Sequence, residues 1–132
     1  RKKEDLARDI LAMREKLHAA HPNRSGLFDV KHDHGGMIDV EFAVQFLVLA
    51  HSHRFPGLTR NLGNIALLKL AAGFSLLDDR LAGDAANAYR ELRRMQHALR
   101  LNGAQYARVA PETLAPHIAA VKALWKTVFR AS

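Results

Sequence analysis

The residues best able to do chemistry lie in the run Phe28-Asp29-Val30-Lys31-His32-Asp33-His34-Gly35-Gly36-Met37-Ile38-Asp39-Val40-Glu41-Phe42. A lysine there precedes a Gly-Gly turn that leads straight into an apolar helical pattern. A helix start carries partial positive charge, Gly35 and Gly36 leave backbone N–H groups uncovered, and Lys31 adds a full charge, so the order suits an anionic phosphate. Two carboxylates, Asp39 and Glu41, fall near the first turn of that helix, where they also stabilise its dipole. Their i, i+2 spacing points them to different faces, so they are not a ready-made acid–base pair, while Glu41 and Gln45 share a face. Two interpretations stay open on spacing alone: a capped, buried helix with Lys31 paired to Asp39 or Glu41, or a contribution to a nucleotide or metal site.

Two His-x-His pairs, His32/His34 and His51/His53, invite a metal. Their spacing argues against it, because i and i+2 diverge on a helix and no third ligand is evident. His51 and His53, near a helix end, read more simply as dipole partners. There is no phosphate-binding loop of the Gly-x-x-x-x-Gly-Lys type and no nucleophile elbow. Nor is there a Gly-Ser followed by paired strand aspartates, the arrangement that holds Mg²⁺ for nucleotidyl transfer. No catalytic or metal-binding residue is therefore assigned to this chain, and catalysis by it alone is not expected.

The elements that must position the loop are helical. Residues 4–20 carry Leu6, Ile10, Met13 and Leu17 at helical spacing, and Pro22-Asn23-Arg24-Ser25-Gly26 breaks that pattern. A short extended stretch, residues 27–31, follows. Residues 38–54 form a second helix that is apolar around most of its circumference and hence central. Thr59 or Asn61 could begin the next turn, and residues 65–72 make a third helix closed by Gly73. Asp78 or Asp79 caps a long fourth helix to Leu101, stopped by Asn102-Gly103. Its stripe is Leu81, Ala85, Ala88, Leu92, Met95 and Leu99. After Pro111 a last helix to Phe129 carries Leu114, Ile118, Val121, Leu124, Trp125 and Val128. The sum is an all-α bundle of about five helices in one domain, residues 1–132.

At 132 residues and 48% hydrophobic the chain can bury one core. It lacks cysteine, which excludes a disulfide framework and fits a cytoplasmic protein. The longest apolar run, residues 42–50, is interrupted by Gln45 and is far short of the ~20 residues that cross a membrane. The opening Arg1-Lys2-Lys3-Glu4-Asp5 has neither an initiator methionine nor a signal segment, which predicts a piece of a longer protein. The net charge of +7 raises nucleic-acid binding, but the basic residues are spread along every segment and mixed with acids. The densest knot is Arg90, Arg93 and Arg94, with Arg100 beyond it. No nucleic-acid partner is expected, since such a surface also serves solubility or docking on an acidic protein.

From Lys31 to Gln45 the sequence resembles the signature of the glutamine synthetase adenylyltransferase family: Lys31, Gly35-Gly36, Asp39, Glu41-Phe42 and Gln45. The similarity extends through Met13-Arg14-Glu15-Lys16 before it, and through His53, Leu58-Thr59-Arg60 and Asn64 after it. The resemblance implies an enzyme that attaches AMP from ATP to a tyrosine of glutamine synthetase and, in its other half, removes it, under control of PII signalling protein. Ile38-Asp39, where the removing half tends to carry Arg-Glu, implies the carboxyl-terminal helical domain behind the adenylylating nucleotidyltransferase domain. ATP and Mg²⁺ would be held mainly by that preceding domain. Lys31, Gly35 and Gly36 would line the phosphate side of the cleft, and Asp39 and Glu41 would fix the loop against the catalytic sheet. The polar spacer His32-Asp33-His34 departs from the small residues often found there. Three alternatives remain: the related PII uridylyltransferase, a module docking PII protein or glutamine synthetase without touching nucleotide, and a nucleic-acid-binding bundle.

Overall fold

The spacing of apolar residues resolves into five helices and one two-stranded ribbon in the computed structural model, which describes residues 2–129; Arg1 and positions 130–132 lie outside it. Helix α1 (Lys3–Ala20) turns Leu6, Ala7 and Ile10 into the bundle. Residues three and four apart share a face, so the next inward position after Ile10 is Arg14. Met13, expected in the apolar stripe, is instead 55% exposed.

Helix α2 (Met37–His51) is the centre, with buried residues from Met37 to Leu47 and neighbours in α1, α3, α4 and α5. It stops earlier than expected, because the N–H groups of Arg54 and Phe55 both turn back to the His51 carbonyl. A 3₁₀ turn (Pro56–Thr59) leads to α3 (Asn64–Gly73), whose N-cap is Gly63 rather than Thr59 or Asn61. Helix α3 closes at Gly73 as expected, and the left-handed residue just beyond it is Ser75, φ 63°.

Helix α4 (Asp79–Leu101) begins at Asp78, whose carboxylate accepts from the N–H groups of Arg80 and Leu81. It ends where Gly103 takes φ +82°, a conformation that favours glycine. A second 3₁₀ turn (Pro111–Leu114) opens onto α5 (Ala115–Phe129), which packs on both α4 and α2. The rings of Phe46 and Phe129 meet at 5.0 Å where α2 and α5 touch.

The expected extended stretch is strand β1 (Phe28–Asp29), and its partner is β2 (Arg108–Val109). They are antiparallel, with Phe28 opposite Val109 and Asp29 opposite Arg108. This ribbon ties the loop before α2 to the segment between α4 and α5. Among the described residues no helix is long and apolar enough to cross a membrane. The fold is the all-α bundle that periodicity predicts.

Candidate functional site

Asp29 organises the loop that carries Lys31. It is 2% exposed, and its Oδ1 accepts from the backbone N–H groups of Lys31 at 3.0 Å and His32 at 2.9 Å. Arg108, its neighbour across the ribbon, approaches Oδ2 at 3.4 Å. Asp33 returns the favour: its Oδ2 accepts from the Asp29 N–H at 2.9 Å and from Asn23 Nδ2 at 2.8 Å. Each aspartate thus satisfies the other's turn, as short polar side chains do where backbone leaves regular structure.

The expectation that the Gly-Gly amides stand open to an anion is not met. The Gly35 N–H donates to Asp39 Oδ2 at 2.9 Å and the Gly36 N–H to the Asp33 carbonyl at 2.9 Å. The first amides of α2 are engaged too, Met37 to the Val30 carbonyl and Ile38 to that of Lys31. The glycines serve close packing instead. Gly35 has φ +91°, and a Cβ there would lie 2.7 Å from Ile118 Cγ2. A Cβ on Gly36 would lie 2.6 Å from the Val30 carbonyl oxygen.

The two acids of α2 face opposite ways, as their spacing requires. Asp39, 3% exposed, takes a two-pronged pair from Arg14, with Nε to Oδ1 and Nη2 to Oδ2 both at 2.9 Å. The Arg14 guanidinium also lies over the Trp125 ring at 4.0 Å, so α1, α2 and α5 meet at one cation. Glu41 faces α4, where it accepts from the Tyr89 hydroxyl at 2.8 Å; that oxygen in turn accepts from Asn64 Nδ2 at 3.2 Å. Burial, then the hydrogen bond to Glu41, pushes the Tyr89 phenol up to about 12. Both carboxylates are thus engaged within this chain. Lys31 pairs with neither of them. Its side chain is exposed and has no ion-pair partner among the described residues.

The loop histidines stack on α1 and its end: His34 on His18 at 4.3 Å and His32 on His21 at 3.9 Å. Desolvation holds both His32 and His34 below the ordinary histidine value, with Arg14 adding to the effect at His34. Among the described residues no three His, Asp or Glu side chains converge as metal ligands. His51 is also lowered, by burial and then by Lys3, Arg54 and His53, which works against its expected part as a charged dipole partner. Sequence spacing missed Arg14, Asp29 and Tyr89. Arg14 left one signal, a charge set at i+4 from Ile10 inside an apolar stripe.

Around Lys31 the surface is concave and basic. A hollow of about 140 Å³ is lined by Lys31, His32, Gln96, Arg100 and Tyr106 together with His21, Asp29, Gln105 and Ala107. Gln96 and Arg100 also line a wider groove with Arg90, Arg93, Arg94 and His97. The knot of arginines seen in the sequence is therefore continuous with the Lys31 loop.

Residues 6–123 match the family model described as GlnD PII-uridylyltransferase. The bifunctional glutamine synthetase adenylyltransferase/adenylyl-removing enzyme of Nitrosomonas eutropha is 52% identical over 96% of this chain and 15% of its own length. The protein of that name from Burkholderia pseudomallei is 52% identical over 96% of the chain and 14% of its own length. That from Bordetella bronchiseptica is 55% identical over 95% and 13%. The chain thus spans about one-seventh of the curated relatives it matches. It belongs to the family of the glutamine synthetase adenylyltransferase/adenylyl-removing enzymes.

Proposed function

We propose that this chain is the helical domain behind an adenylylating nucleotidyltransferase domain, and that it supports transfer of AMP from ATP to a tyrosine of glutamine synthetase. Its relatives' names carry that activity and that target. The observation in the fold that carries the role is Lys31: an exposed, unpaired ammonium on a loop whose backbone is fixed from within by Asp29, Asp33 and Asp39. A backbone fixed in this way sets the point from which the lysine stem can carry its charge to a phosphate presented by a neighbouring domain. Gly35 and Gly36 shape the loop, Asp39 anchors it, and Glu41 ties α2 to α4, without touching nucleotide. ATP and Mg²⁺ sit mainly in the preceding domain, PII protein regulates the assembly, and the setting is the cytoplasm.

Lys31→Ala in the enzyme that carries this chain tests the proposal. AMP transfer to glutamine synthetase should drop at least about tenfold with folding intact, the size expected for one lost charge-assisted contact. Unchanged kinetics would sink it.

A further inference from the structure

We infer that Arg100 of α4 is a second phosphate-binding residue, facing the same hollow as Lys31, and that the pair receives the polyphosphate of the nucleoside triphosphate. This rests on the nucleotide-facing role proposed for Lys31. Both side chains line the hollow, one from the loop before α2 and one from the last turn of α4. Arg100, like Lys31, has no ion-pair partner among the described residues. Three other arginines of that helix have contacts of their own: Arg90 donates to the Asn87 amide oxygen, Arg94 pairs with Glu91, and Arg93 lies over the Tyr89 ring.

Asp29 lines the same hollow, but its oxygens accept from the Lys31 and His32 amides and face Arg108, so its charge is already balanced. What is left is a planar fork and a point charge across one concavity, with Gln96 between the hollow and the arginine groove. Arginine suits bidentate phosphate contact and lysine suits a single oxygen. At about 140 Å³ the hollow falls below the ~300 Å³ where pockets for drug-sized ligands begin, so it fits a phosphate group and leaves the nucleoside outside. The arginine groove beside it adds a field that concentrates anions.

The test uses the enzyme carrying this chain with its nucleotidyltransferase domain. It measures kcat and KM for ATP in AMP transfer to glutamine synthetase, and inhibition by inorganic tripolyphosphate. Arg100→Ala should raise KM for ATP and weaken tripolyphosphate inhibition about tenfold each, Arg100→Lys should recover part of both, and Arg80→Ala at the far end of α4 should change neither. If Lys31→Ala impairs transfer and Arg100→Ala leaves KM and tripolyphosphate inhibition unchanged, the Arg100 site is overturned and the role of Lys31 stands. If neither variant moves either quantity, both fall.

Discussion

Arg14 and Asp39 form a two-pronged ion pair, both contacts at 2.9 Å, with the carboxylate 3% exposed and the guanidinium stacked on Trp125. One Asp39 oxygen also accepts from the Gly35 amide, so the pair fixes both the start of α2 and the loop before it. Removing one partner of a buried pair leaves the other charge desolvated and alone. Arg14→Ala should therefore lower unfolding free energy by about 3 kcal/mol or more. Urea denaturation reads this directly, and a loss below about 0.5 kcal/mol, the level of a surface pair, would remove the anchor from the account.

Gly35 and Gly26 both have positive φ, +91° and +78°, yet only Gly35 is crowded. Gly26→Ala should cost about 1 kcal/mol for the backbone conformation alone. Gly35→Ala should cost about 2–4 kcal/mol, because its new methyl group also meets Ile118. Equal losses at the two positions would contradict the packing of α5 against the loop.

Tyr89 titrates at about 12 in the fold against 10.0 unperturbed. A group whose folded pKa is raised contributes stability that is complete below the unfolded value and is lost as pH rises through the folded one. The chain should thus weaken from pH 10 upward to 12, and Tyr89→Phe should flatten that slope while costing about 1 kcal/mol at neutral pH for the lost hydrogen bond to Glu41. The slope is measured by denaturation across alkaline pH; if it survives in Tyr89→Phe, another group is its source.

His32 and His34 are displaced the other way, below 6.5, chiefly by desolvation. The contribution of such groups is complete above 6.5 and falls away as pH drops through the folded values, because the unfolded chain takes up the protons first. Around them stand His21, Asp29 and Lys31 on one side and His18, Arg14, Asp39 and Glu15 on the other. Stability should therefore decline as pH falls below 6.5. The double change His32→Asn, His34→Asn should reduce that decline; a steeper one would show that the sign is wrong.

The helices were legible because their apolar residues repeat at helical spacing, from Leu81 to Leu99 in α4 as from Ile118 to Val128 in α5. The divergence of Asp39 and Glu41 was legible for the same geometric reason. Their partners were not: Arg14 is 25 residues from Asp39, and Tyr89 is 48 from Glu41. The ribbon partner of residues 28–29 escaped notice because a two-residue strand carries no alternation. The glycine pair was misjudged in its chemistry, since spacing reveals where amides are free of side chains but not which carboxylate or carbonyl returns to accept from them.

The decisive measurement is transfer of labelled AMP from ATP to glutamine synthetase by this chain alone and by the same chain joined to the nucleotidyltransferase domain proposed to precede it. Labelling by the joined protein only is the expected result. Labelling by this chain alone would mean that it holds a complete active site, and labelling by neither would contradict the proposed role.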